Sequence, residues 1–128
     1  MRPFLAFALS LALTVPAAAM MAPEYYEQAR DEAPNVIVVA VHEVERAKNG
    51  LGWCRVHGIV DAVERGTAYA VGDDVAIAVE CLDPDTAEDV PVGGTIWQDM
   101  PALVKSHRGR AWLDDAGAVV LSQYEILE

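Results

Sequence analysis

Basic residues are scarce in this 128-residue chain: nine Lys and Arg stand against twenty Asp and Glu, a formal charge of −11. A phosphate backbone meets net repulsion from such a surface, and no local run of Lys and Arg offsets it, so a nucleic-acid partner is not expected. Serine is nearly as rare. Past residue 19 only Ser106 and Ser122 remain, neither in a G-x-S-x-G turn, and nucleophilic hydrolysis lacks its usual carrier. Cysteine occurs only at 54 and 81. His57 lies near Cys54, but Cys81 stands alone and His42 and His107 fall on separate elements, so the spacing makes no zinc motif. Gly50-Leu51-Gly52 leads straight into Trp53 at the start of a strand, which makes it a turn and not a dinucleotide fingerprint. These absences point away from an enzyme and leave no expected cofactor or metal.

Long apolar runs are missing too, except at the start. Arg2 supplies a positive end, Phe4 to Val15 is apolar apart from Ser10, and Pro16, Ala17, Ala18 and Ala19 form a small-residue cleavage region. This is the pattern of a secretory signal peptide cut after Ala19. About 12 apolar residues reach only some 18 Å as a helix, short of the ~30 Å hydrocarbon core, which argues against an anchor. No Cys follows the Ala run to carry a lipid, and no later run is long enough to span a membrane. Cleavage removes one positive charge, Arg2, and makes the mature chain more acidic still. The expected product is periplasmic or secreted. With 53% hydrophobic residues it is too apolar to stay disordered at this charge. The expected division is 1–19 signal peptide, 20–34 N-terminal helix or extension, and 35–128 one β domain.

Pro23 and Glu24 suit a helix start and Pro34 its end, with Tyr25, Tyr26 and Ala29 as the less polar residues. From Asn35 the chain becomes β-branched through Val41 and then polar at His42, Glu43 and Glu45, a strand buried early and exposed late. Lys48-Asn49-Gly50 is a turn signal. A second strand over 52–64 places Cys54, Val56, Val60 and Ala62 on one face and Trp53, Arg55 and His57 on the other. Gly58 in its middle suggests a bulge or bend, the device that curls a long strand. A third strand over 75–81 puts Val75, Ile77, Val79 and Cys81 on a single face. An acidic loop with Asp83, Asp85, Glu88 and Asp89 follows; it lacks EF-hand spacing and is read as a solvated loop. Asp99, Pro101, the Leu103/Val104 pair and basic residues at the end mark a short helix, and 110–113 and 118–127 form a closing hairpin. There is no internal repeat.

Three strands, a short helix and two strands, with a kinked second strand, is the order of a five-stranded OB-like Greek-key barrel, here mainly β with a short N-terminal helix. The stretch from Gly58 to Gly66, followed by Val71 to Val79, resembles the second and third strands of secreted OB domains of the netrin-like and tissue-inhibitor-of-metalloproteinases type. The resemblance runs from about Val36 onward; the bacterial look of the leader and the Ala-, Val- and Asp-rich composition suggest a periplasmic relative. Tissue inhibitors of metalloproteinases chelate the target zinc with a mature N-terminal Cys. The expected mature chain begins Met20-Met21 with no Cys before 54, so that mechanism and the family's site residues do not carry over.

In an exported small chain, Cys54 and Cys81 are expected to bond, which also removes thiol chemistry. Setting Cys54 opposite Cys81 puts Val56 opposite Val79, Gly58 opposite Ile77 and Val60 opposite Val75, so one register aligns apolar pairs on the same face. Trp53, Arg55 and His57 form the candidate binding group: an aromatic ring, a fork-shaped cation and an imidazole on one strand face. OB barrels commonly bind on the face of strands two and three. The bland alternative has Trp53 covering a barrel end beneath the Arg stem. Trp97 and Trp112 are expected in packing positions. The expected function is a non-enzymatic binding or interaction module for an envelope protein or a small anionic ligand; the alternative is an inhibitor or accessory subunit of an envelope enzyme.

Overall fold

The computed structural model describes residues 22–128, so the expected leader at 1–19 lies outside the described residues. Helix α1 (Pro23–Glu32) starts on Pro23 and stops before Pro34. Strand β1 (Asn35–Glu45) is buried through its first half and exposed toward its end. Ile37 and Val39 face the main core, whereas Val36 lies on the opposite side with Ala33 and Trp112. A single helical turn at Lys48–Gly50, with Asn49 in the left-handed region, leads into β2 (Leu51–Arg65). Then come β3 (Asp74–Leu82), β4 (Gln98–Asp99), α2 (Met100–Lys105), β5 (Arg108–Leu113) and β6 (Val119–Ile126). Helix α2 has the expected start: the Asp99 carboxylate accepts the Ala102 amide at 3.1 Å, with Pro101 in the first turn.

The strands form one mixed, curled sheet in the order β4-β3-β2-β1-β5-β6, a six-stranded half-barrel. The sixth strand is β4, which pairs parallel with Cys81 and Leu82; two residues carry no alternation for a sequence reading to find. Among the described residues no ladder closes β3 onto β6, and the Ser122 hydroxyl meets Glu80 at 3.4 Å across that seam. Leu121 and Ser122 have positive φ, 39° and 59°, so β6 bends where a closing strand would run straight.

The concave side holds the core: Ile37, Val39, Val56, Val60, Ile77, Val79 and the bonded Cys54 and Cys81, joined by Met100 and Leu103 of α2. The disulfide is present, but the register around it differs from expectation by two residues. Cys54 sits opposite Val79, Val56 opposite Ile77 and Gly58 opposite Val75, while Cys81 faces Gly52. The cystine therefore crosses a diagonal of the β2–β3 ladder, with Cα atoms 5.8 Å apart. A slip of two keeps every side chain on its face, so alternation alone could not separate the registers. Nor does Ile77 fill the space at Gly58. A Cβ there would run into the Ala40 carbonyl and the Val39 side chain, so β1 occupies it; the β1–β2 ladder is irregular on both sides of Gly58, with an extra residue on β1 at His42 and on β2 at Asp61 and Glu64.

A disulfide buried in the core is consistent with a location outside the cytoplasm. Among the described residues no helix is long and apolar enough to cross a membrane.

Candidate binding face

Period-two alternation puts Trp53, Arg55 and His57 on the convex side of β2, away from Cys54 and Val56. Trp53 is 61% exposed. It stands as a ridge between two open grooves. One, of about 460 Å³, is bordered by Glu45, Arg46, Lys48, Leu51 and Arg55. The other, of about 410 Å³, runs between Arg55, Ala78 and the turn residues Gly117, Ala118 and Val119. Trp53 and Arg55 line both.

His57 is drawn away from this pair. Glu45 lies opposite Arg55 in the β1–β2 ladder, yet its carboxylate reaches diagonally to His57 Nε2 at 2.8 Å. Arg55 is left without a carboxylate, and His57 instead borders a separate depression of about 250 Å³ with His42, Gly58 and Asp74. The structure thus joins Trp53 to Arg55 and separates His57 from them. It adds Arg46 and Lys48, which the sequence presents only as residues beside a turn.

The other Trp residues differ in role. Trp112 is 8% exposed, with the Arg30 guanidinium 4.6 Å above its ring and Arg110 at 5.9 Å. Arg110 is held still further above its ordinary pKa, chiefly by its hydrogen bond to Glu64 and also by Glu125. Trp97 is half-buried.

In the acidic loop, the Asp83 carboxylate accepts the Asp85 amide at 3.0 Å, and the Asp83 amide donates to the Gly50 carbonyl at 2.8 Å. Among the described residues no three His, Cys, Asp or Glu side chains converge at metal-binding distance. Ser106 donates to the Leu103 carbonyl and Ser122 to Glu80, so neither hydroxyl is engaged by a histidine. Comparison of the chain with protein-family models, with curated proteins and with solved structures finds no match in any of the three.

Proposed function

We propose that this chain is an exported, non-enzymatic binding module that takes an anionic ligand or an acidic partner on the face of Trp53 and Arg55. The observation that carries the reading is an exposed indole beside a guanidinium that no carboxylate of the described chain neutralises. Trp and Arg are the residue types that dominate interface energetics, and an unpaired fork-shaped cation is suited to a carboxylate or phosphate.

Strand order supports an OB-like reading. With the two-residue β4 set aside, the order β3-β2-β1-β5-β6 is what a five-stranded OB barrel would have if its last seam were open. OB domains bind on the second and third strands, between the loop after strand one and the loop between the last two strands. Here the grooves beside Trp53 are bordered by that strand face, by Arg46 and Lys48 after β1, and by Gly117 and Ala118 before β6. The leader at 1–19 and the cystine favour a periplasmic or secreted setting. An inhibitor or accessory subunit of an envelope enzyme would use the same face.

Trp53→Ala and Arg55→Ala test the reading. Each is expected to abolish recovery of the partner from the native envelope by the tagged protein, with circular dichroism and the disulfide unchanged. Undiminished recovery of the same partner by both variants would reduce the group to surface cover.

A further inference from the structure

The eight Lys and Arg of the described residues divide into two sets. Arg108 pairs with Asp61, and Arg110 with Glu64 and Glu125. Arg30 bonds Gln123 and lies over Trp112, and Arg65 donates to carbonyls at the end of α1. Arg46, Lys48, Arg55 and Lys105 have neither an ion pair nor a side-chain hydrogen bond nor a ring contact among the described residues. Three of these four border one groove, beside Trp53. The only acid bordering that groove, Glu45, is already engaged by His57. On a surface where acids outnumber bases about two to one, a site with three unneutralised cations is complementary to added negative charge.

Beyond the Trp53 ridge the chemistry changes. The second groove is bordered by Ala78, Gly117, Ala118 and Val119, with Arg55 as its only charged side chain. It offers no side-chain hydroxyl, amide or carboxylate to a sugar ring. It suits an aliphatic group resting against the indole and the Val119 side chain.

We propose that the natural ligand of this face is an extended acidic and apolar segment of a partner protein. Its carboxylates lie against Arg46, Lys48 and Arg55, and its following aliphatic side chain lies across Trp53 in the groove of Ala78 and Val119. This rests on the reading of the Trp53 face as the binding face and specifies what it recognises.

Isotope-labelled, disulfide-bonded protein is titrated with four probes and followed by NMR. They are acetyl-Glu-Asp-Glu-Leu-Val-amide, its uncharged analogue acetyl-Gln-Asn-Gln-Leu-Val-amide, acetyl-pentaglutamate-amide and trigalacturonate. The first probe is expected to shift the Trp53 indole N–H together with the Ala78 and Val119 methyl signals. The uncharged analogue, and an Arg46→Gln/Lys48→Gln double variant with the first probe, are each expected to bind about tenfold more weakly, the sum of several exposed charge contacts. Equal binding of the charged and uncharged peptides would overturn the proposal. So would pentaglutamate binding as tightly as the first probe with the two methyl signals unmoved, an outcome that leaves an anion-binding Trp53 face standing. Trigalacturonate binding while the peptides stay silent would assign the face to acidic glycans and overturn the peptide. Silence of Trp53 toward all four probes also overturns it, and the underlying reading is then judged separately by partner recovery with Trp53→Ala.

Discussion

The Tyr124 hydroxyl is the one buried side-chain polar atom, among the described residues, without a hydrogen-bond partner. The residue is 4% exposed and sits across from Ala111 in the β5–β6 ladder. Its hydroxyl occupies the space where Gly109 has no Cβ, so a side chain at 109 would collide with it. An unpartnered hydroxyl loses its water without compensation, and Tyr124→Phe is expected to leave stability at pH 7 equal or raised by up to about 1 kcal/mol. Burial also pushes the Tyr124 pKa up to about 12 from its ordinary value of 10. The folded state therefore holds this proton more tightly than the unfolded chain. The stability it contributes is complete below pH 10 and is lost as pH rises from 10 to about 12, on the order of 2 kcal/mol over that interval. Urea titrations of both proteins at pH 8 and pH 11.5 check this. The wild type should lose more stability than Tyr124→Phe, and parallel losses would show that the hydroxyl is not a linked group.

Helix α1 is held by contacts that its own sequence does not announce. Arg65, at the end of β2, donates from Nη1 to the carbonyls of Arg30 at 2.6 Å, Asp31 at 3.3 Å and Ala33 at 2.9 Å. A cation is thereby placed on the negative end of the helix, where carbonyls lack internal partners. The Tyr26 hydroxyl donates to the Gly94 carbonyl at 2.6 Å, and Arg30 lies on Trp112. Arg65→Met keeps the aliphatic stem and removes the donors. It is expected to cost about 1 kcal/mol in urea denaturation and to speed amide exchange in α1 more than in β1. Equal exchange in the two elements would mean that the helix is held by packing alone. Features written within one element were legible in sequence: the Asp99 cap, the Pro34 stop, and the shared face of Trp53 and Arg55. Features that depend on how two elements meet were not. The β2–β3 register escaped because a two-residue slip leaves every face unchanged. Arg46 and Lys48 were hidden because only the fold of the β1–β2 turn brings them beside Trp53. His57 left the expected group because Glu45, twelve residues away, is carried to it by pairing.

At the scale of the whole molecule, the half-barrel leaves an open seam between β3 and β6, and the cystine ties β3, the strand on one side of that seam, to β2, its laddered neighbour. Cys81 lies where the brief parallel pairing with β4 begins, so the bond to Cys54 fastens β3 to β2 beside its least extensively laddered border. The linked residues are 27 apart in sequence, and the chain-entropy estimate for closing such a loop is about 3.5 kcal/mol. For a small domain this is a large share of total stability, so folding in a reducing compartment would leave a marginal protein. The same dependence agrees with the export expected from residues 1–19. Intact mass after alkylation under denaturing, non-reducing conditions reads both features in protein taken from the host envelope. The expected species begins at Met20 and carries no alkyl group on either cysteine. Added reductant should then lower the denaturation free energy by about 3.5 kcal/mol. A doubly alkylated product without prior reduction would mean that the bond does not form in the cell. A species beginning at Met1 would remove the argument for an oxidising compartment, and with it the reason the domain's stability can depend on a covalent tie between β2 and β3.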